Sequence, residues 1–433
     1  MVRSYMPFSA FATFISRPTI LGKQRQGTAI GACELRLRAA GYATGYIGKW
    51  HLSGVPRDRF IPPEERLGFE EWKAAECIHS YDHSYYDDEQ NERHWFPGFE
   101  SEGQADLAID FVERKERNRR TNGTPWALVL SWGPPHAPYD VVPQRHAGLF
   151  SPADIRLRPN VPERVLRCDG SGEYTGTDQM RAVLAGYCAQ ISYLDEQFGR
   201  IMDSLDALGA ARDTVVIYTS DHGDMLGSQG LQKKQLPHDE SVLVPFLIRW
   251  PGRLEPGVRP TPMGLVDLAP TIAGFAGGGF TAADGVDRGR LLRRGEAEEE
   301  GQDDPAVLIY NLVPCHQAAD RGETRGWYGI RTRRYTYAVW DDGEPFCLYD
   351  NDVDPFQTAN LCGPETRRGQ CGSVATRLRS RLEAQLGRAG ASIEPWQELI
   401  PRLGLRDAWN ASQEYFGRPL LLDGCAGRSR MLR

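Results

Sequence analysis

No apolar run in this 433-residue chain approaches the ~20 residues that a membrane-spanning helix needs. Nor is there a basic stripe: the formal net charge is −7, with charged residues at 25% of the total, so a nucleic-acid partner is not expected. The nine cysteines include no Cys-x-x-Cys pair. An odd, dispersed set argues against a disulfide framework and favours a reducing compartment, which makes the expected location cytoplasmic. Met6 to Ile15 is apolar but has no small-residue cleavage site, so it is not read as a signal peptide. With these classes set aside, 40% hydrophobic content over this length is ordinary globular composition with enough apolar material for a sizeable core.

The regular text begins at Cys33. Cys33 to Ala40 reads as the end of a helix stopped by Gly41, and Tyr42 to Trp50 as a strand. Residues 53–100 are rich in Pro, Gly, Asp and Tyr and read as loop. Helical spacing follows over Gln104 to Arg117, and Trp126 to Trp132 is a buried-strand candidate. After an irregular stretch, 140–176, apolar residues recur at three and four from Leu184 to Leu208, predicting one long helix with a single buried face. Thr214 to Thr219 is a β-branched strand, Val242 to Trp250 another, and Val266 to Ala276 a short helix. The acidic run Gly295 to Asp304 reads as a linker. Beyond it, short strands at 306–312, 326–332, 335–340 and 347–349 predict a small antiparallel sheet, and Ser373 to Leu386 an amphipathic helix. The sum is an α/β fold: a mixed, mostly parallel central sheet flanked by helices, with a smaller C-terminal antiparallel-sheet subdomain. The expected divisions are an atypical segment 1–32, an α/β domain 33–294 and the subdomain 305–433.

Four short motifs each sit just after an expected strand or open the loop beyond it: Gly48-Lys49-Trp50-His51, Pro135-His136-Ala137-Pro138-Tyr139, Ser220-Asp221-His222-Gly223-Asp224, and Lys234 in the run to Ser241. Taken singly, each has a plain reading. Lys49 or Lys234 is a solvated lysine, His51 a loop histidine, Pro135 to Pro138 a rigid strand exit, and Asp221 to Gly223 an Asx-turn. Parallel strands would bring all four loops to one sheet edge, where ligands of α/β sheets bind. Two lysines, imidazoles and a carboxylate gathered there suit a tetrahedral oxyanion beside a hard cation. His79, His83, His94, His146, His238 and His316 gain no such support from placement.

The same motifs resemble the sulfatase family of the alkaline-phosphatase-like superfamily. Gly41 to His51 looks like a sulfatase signature nearly residue for residue, and 135–139, 220–227, 234–246 and 348–361 look like later family blocks. The resemblance implies hydrolysis of sulfuric esters, with a small-molecule or sugar sulfate ester as substrate and Ca2+ or another divalent cation as cofactor. It implies Asp221 and His222 as metal ligands, and Lys49 and Lys234 as holders of the sulfate oxygens. His51 would contact the nucleophile, and His136 would bind sulfate and protonate the leaving alcohol. Gln229 stands where the family often has His. The sequence departs from the family pattern at its start. There is no Asp-Asp pair before Gly48 and no Cys-x-Pro-Ser-Arg or Ser-x-Pro-Ser-Arg nucleophile segment, Thr13 to Arg17 being the nearest approach. The expectation is a truncated start and an impaired catalyst. Phosphonate or phosphodiester hydrolysis, or sulfate binding without turnover, are the rival readings.

Overall fold

The computed structural model of the chain describes residues 2–5, 37–167, 172–277, 285–293, 305–314, 323–363, 372–391 and 393–417. The acidic run at 295–304 and the stretch Thr13 to Arg17 lie outside them. The strands are β1 (Val2–Tyr5), β2 (Ala43–Lys49), β3 (Glu71–Ala75), β4 (Tyr85–Asp87), β5 (Arg93–Trp95), β6 (Trp126–Ser131), β7 (Arg164–Leu166), β8 (Glu173–Thr175), β9 (Val216–Thr219), β10 (Leu243–Val244), β11 (Phe246–Arg249), β12 (Arg259–Gly264), β13 (Ala306–Asn311), β14 (Trp327–Thr332), β15 (Tyr335–Trp340) and β16 (Pro345–Asp350). The main helices are α1 (Glu100–Asn122), α2 (Thr177–Ala207), α3 (Leu268–Phe275) and α4 (Gly372–Ala389).

The α/β class and the C-terminal antiparallel sheet are as expected, and the central sheet is mixed. Strands β3, β2 and β6 run parallel, with Gly48 opposite both Ala74 and Ser131, so their carboxyl ends lie side by side. Strands β4 and β5 extend this sheet antiparallel. The expected loop at 53–100 therefore holds three strands. They are short and interrupted by turns, too brief for a two-residue period to show. Strand β9 pairs antiparallel with β11, and Pro245 divides the second expected strand into β10 and β11. Val2–Tyr5, where no strand is legible, pairs with β10 and β12. Backbone pairing needs neighbouring edges, not a side-chain pattern.

Two glycines set how closely these elements meet. A Cβ on Gly48 would lie 2.1 Å from the Ser131 carbonyl oxygen, and Gly48 has φ +106. Only glycine lets the backbone turn there and carry Lys49 past β6. A Cβ on Gly223 would lie 2.0 Å from the Glu240 carbonyl oxygen, so the Asp221-His222 turn rests directly on the one-turn helix Asp239–Val242.

Helix α1 packs on β2 and β6 through Phe111 and Val112, which share a buried cluster with Leu205 of α2 and Ala210. In α2 the buried residues include Met180, Ala189, Tyr193, Leu194 and Leu205, whereas Ile191, expected on the buried face, is 41% exposed. The antiparallel sheet β13-β14-β15-β16 is covered on both faces. Ile330, Tyr337, Val339 and Leu348 meet Leu378 and Leu382 of α4, and Ile309, Trp327 and Ala338 meet Val242. Past residue 395, where the sequence showed no pattern, two helices form at Trp396–Arg402 and Arg406–Phe416. Trp396 and Trp409 hold them together, with ring centroids 5.0 Å apart. No helix among the described residues is long and apolar enough to cross a membrane. The described cysteines, Cys77, Cys188, Cys347 and Cys362, are free thiols.

Candidate active site

Lys49 is the last residue of β2, and the loop behind it is held by an aromatic box. Tyr46 stacks on Trp72 and Trp50 meets both edge-on, all with centroids within 5.4 Å, and the Tyr46 hydroxyl donates to the Lys49 carbonyl at 2.6 Å. His51 takes a left-handed backbone, φ 54, with its N–H bonded to the Glu76 carbonyl at 2.7 Å. The Glu76 carboxylate accepts from the Ser53 and Gly54 backbone N–H groups, which fixes the rest of that turn. Burial pushes the Glu76 carboxyl up to about 7.

His136 arrives from the carboxyl end of β6. Its loop is held by the Tyr81 hydroxyl, which donates to the His136 carbonyl at 2.7 Å, and by the buried Glu100, which bonds the Ser84 hydroxyl at 2.6 Å and the Gly133 backbone. Burial raises Glu100 to about 7 as well. Lys234 arrives from the other side, and its Nζ lies 3.1 Å from His136 Nε2. Asp224 organises that approach. It accepts from the Tyr139 hydroxyl at 2.5 Å and from the Lys233 backbone N–H at 2.8 Å.

His136 Nδ1 faces the Ala137 carbonyl at 2.9 Å. A carbonyl only accepts, so Nδ1 carries the proton and Nε2 accepts from the Lys234 ammonium. Burial first, then Lys234 and Lys49, hold the His136 imidazole well below its ordinary range. His51 is lowered in the same way, by burial and then by Lys49 and Arg57. Both rings are neutral at pH 7. Burial, reinforced by Lys49 and Lys233, brings Lys234 itself down to about 8. Four cationic side chains, Lys49, Arg57, Lys233 and Lys234, crowd two neutral imidazoles here, an arrangement that an anion would relieve.

Asp221 and His222 follow β9. Asp221 lies deep in the fold, yet its carboxylate opens onto free space, with the side chain 60% exposed. Burial alone would raise this carboxyl, but His222, Lys49 and Lys234 outweigh it and hold it below the carboxylate range. His222 Nδ1 donates to the Gly223 carbonyl at 2.8 Å, which leaves Nε2 as a lone pair 3.5 Å from Asp221 Oδ2. These two groups supply two positions of a cation's shell. Calcium takes about six to eight oxygens, so Asp221 and His222 by themselves do not fit a calcium site. The one group of three candidate metal ligands among the described residues is Asp88, Glu92 and His94, in the β4–β5 hairpin. It is built as a hairpin turn, with Asp88 accepting from the Gln90 and Glu92 N–H groups and from His94.

All six residues singled out from the sequence meet in one place: His136 touches Lys234, its ring centroid is 6.0 Å from that of His222, and Lys49 acts on His51, His136 and Asp221 alike.

The Sulfatase family model matches residues 36–278, more than half of the chain. The chain belongs to the sulfatase family. A second model, for the N-sulphoglucosamine sulphohydrolase C-terminal region, matches residues 227–386. Among relatives, this chain is 32% identical over 365 residues to an ulvan-active sulfatase of Formosa agariphila, covering 82% of this chain and 65% of that one. It is 23% identical over 406 residues to an N-acetylglucosamine-6-O-sulfatase of Bacteroides thetaiotaomicron, covering 76% and 68%. It therefore spans about two thirds of the length of these relatives. Its fold is shared with the phosphonate monoester hydrolase of Silicibacter pomeroyi, with a TM-score of 0.63 at 20% identity over 89% of this chain and 87% of that one. Sulfatases generally use a divalent metal, usually Ca2+ or Mg2+.

Two members of this candidate site had no signal in the sequence. His79 stacks on His136, with centroids 4.8 Å apart and planes 6° from parallel. The Arg57 guanidinium lies 3.3 Å from His51 Nε2 and donates to it. Both come from the stretch read as loop; recognising that β3 runs parallel to β2 would have placed His79 at the same edge. The Gln229 amide donates to the Phe356 and Gln357 carbonyls, so it ties this turn to the C-terminal subdomain.

Proposed function

We propose that this site binds the sulfate group of a sulfated carbohydrate for ester hydrolysis. The observation that carries the reading is the Lys234 Nζ–His136 Nε2 contact at 3.1 Å, set among Lys49, His51 and His79. Lys49 and Lys234 would hold the sulfate oxygens and offset charge on the transferring group. The orientation of His136 puts the mobile proton on Lys234. A proton for the leaving oxygen would pass from Lys234 to His136 Nε2 and on to the alcohol. Asp221 and His222 would give a divalent cation two of its donors, too few to hold calcium by themselves. The likeness to an N-acetylglucosamine-6-O-sulfatase supports a sugar as the leaving group.

Turnover requires a nucleophile. The sequence contains no Cys-x-Pro-Ser-Arg or Ser-x-Pro-Ser-Arg segment. We therefore infer that this chain binds sulfate esters better than it turns them over. Titration calorimetry with inorganic sulfate, run beside turnover of 4-nitrophenyl sulfate and a phenyl phosphonate ester, tests both parts. Sulfate binding that is lost in Lys234→Ala, with slow or no turnover, is the expected result. Faster turnover of the phosphonate would favour the rival ester. No sulfate binding in the unaltered chain would end the reading.

A further inference from the structure

Outward from His51 the surface is lined by aromatic rings that the oxyanion pocket does not use. Trp95 is 54% exposed, Phe60 44% and Tyr415 50%. They come from three separate parts of the chain: the β4–β5 hairpin, the loop after His51, and the helix Arg406–Phe416. The rings are held in place. Trp95 is stacked on one face by His83, with centroids 4.7 Å apart, and meets Tyr85 edge-on at 5.1 Å. The Arg93 guanidinium lies 3.8 Å from the centre of the Tyr85 ring and 5.1 Å from that of Phe60. Arg93 is itself fixed by both Asp87 oxygens and the Asp58 carbonyl.

The ledge connects to the site at two points. Tyr85 lines a small cavity with Gly48, Lys49, Ser84, Glu100 and Gln104, among others. At the other point, Arg57 touches His51 and lies 4.7 Å from the centre of the Phe416 ring, and that ring is 5.2 Å from Tyr415. The Nε of Arg57 is buried and has no hydrogen-bond partner. A buried donor without a partner is costly, and an anionic oxygen is the partner an arginine serves best.

We propose that this ledge is a carbohydrate subsite. Trp95, Phe60 and Tyr415 would stack the apolar face of the sugar flanking the sulfated one, and Arg57 would bond an acidic substituent on the substrate. The inference rests on the sulfate-ester reading for its anchor and adds a substrate class: an acidic, sulfated oligosaccharide in place of a single sulfated ring. Rigid aromatic faces with a polar rim suit a pyranose, which offers C–H groups on one face and hydroxyls at its edge.

The test is calorimetry on the full chain with four probes: inorganic sulfate, glucose 6-sulfate, a chondroitin sulfate tetrasaccharide carrying sulfate and carboxylate, and a dextran sulfate tetrasaccharide carrying sulfate alone. The expected order puts the chondroitin probe at least about tenfold tighter than glucose 6-sulfate, a difference of about 1.4 kcal/mol. Trp95→Ala, at an exposed position that leaves the fold intact, removes most of that gain and leaves inorganic sulfate binding unchanged. Arg57→Met abolishes the preference for chondroitin sulfate over dextran sulfate, and Arg57→Lys restores part of it. A tetrasaccharide no tighter than glucose 6-sulfate, or equal chondroitin binding in Trp95→Ala, overturns the subsite. Loss of inorganic sulfate binding alone, with Trp95-dependent oligosaccharide binding kept, would leave the subsite standing and remove the oxyanion reading.

Discussion

The C-terminal sheet and the strands β6, β9 and β11 are built from similar residues and meet opposite environments. Ile330, Val339 and Leu348 are 0% exposed, because α4 covers one face of their sheet and the Val242 region the other. Val129 of β6 is 40% exposed and Leu247 of β11 44%, although Trp126–Ser131 is as apolar as any C-terminal strand. Among the described residues, β6 pairs only with β2, and β9 only with β11, so each leaves one edge without a strand. Leu247 lies opposite Tyr218, which meets Phe198 of α2, and Ile191, about two turns before Phe198, is open as well. Apolar content alone does not produce burial; covering neighbours on both sides do.

The subdomain also holds the site's last lysine. The Trp327 indole donates to the Gln235 carbonyl, and Arg331, 1% exposed, bonds both oxygens of Asp239. The Lys234 segment is therefore clamped between Asp224, in the turn beyond β9, and a separately packed sheet, whereas the Asp221 side chain is 60% exposed.

The sharpest way to break this contrast is at the clamp. Arg331→Ala removes the buried partner of Asp239, whose side chain is 13% exposed, and should cost about 3 kcal/mol. Urea unfolding measures the loss, and sulfate affinity should fall with it because Lys234 loses its support. An unchanged midpoint would mean that the two regions are not coupled. Next in size, Leu348→Ala should cost about 2–5 kcal/mol, whereas Val129→Ala should cost less than about 1 kcal/mol. Equal costs would show that β6 is covered after all. Val129→Lys and Leu247→Lys should leave stability nearly unchanged and reduce self-association in light scattering, since open apolar edges recruit other chains.

A smaller effect concerns pH. The folded-state value of Lys234 is lowered to about 8 from 10.5. Sulfate affinity should therefore fall as pH rises through about 8. Stability should move the other way between about 8 and 10.5, because there the unfolded chain holds a proton that the folded chain does not. His51 and His136, lowered below 6.5, predict falling stability as pH drops below that value. Binding and unfolding curves over pH 5 to 11, with Lys234→Ala as control, separate these contributions. The smallest expected effect is from calcium. Two donors imply weak binding, so any rise in melting temperature with Ca2+ should be slight and should vanish in Asp221→Ala. A large shift that survives in that variant would place the cation elsewhere.

The residues that carry the site were legible because each lies beside a strand with a clear apolar run. Lys49 ends β2 and His51 follows it, His136 follows β6, and Asp221 and His222 follow β9. His79 and Arg57 were not legible, since β3, β4 and β5 are too short to show a period and the stretch reads as loop. The bonds of Gln229 were not legible either, because Phe356 and Gln357 lie more than a hundred residues away.

Local order in this chain, meaning which segments become helix or strand and which loops carry lysine, imidazole and carboxylate, is written in apolar periodicity and turn residues. Those signals act over a few residues and need no partner. Tertiary packing alone decided that His79 stacks on His136, that Lys234 hands a hydrogen bond to Nε2 rather than receiving one, and that β6 stays half-open while β14 to β16 are sealed. Each of these depends on which surfaces arrive from far along the chain, and a run of neighbouring residues holds no record of that.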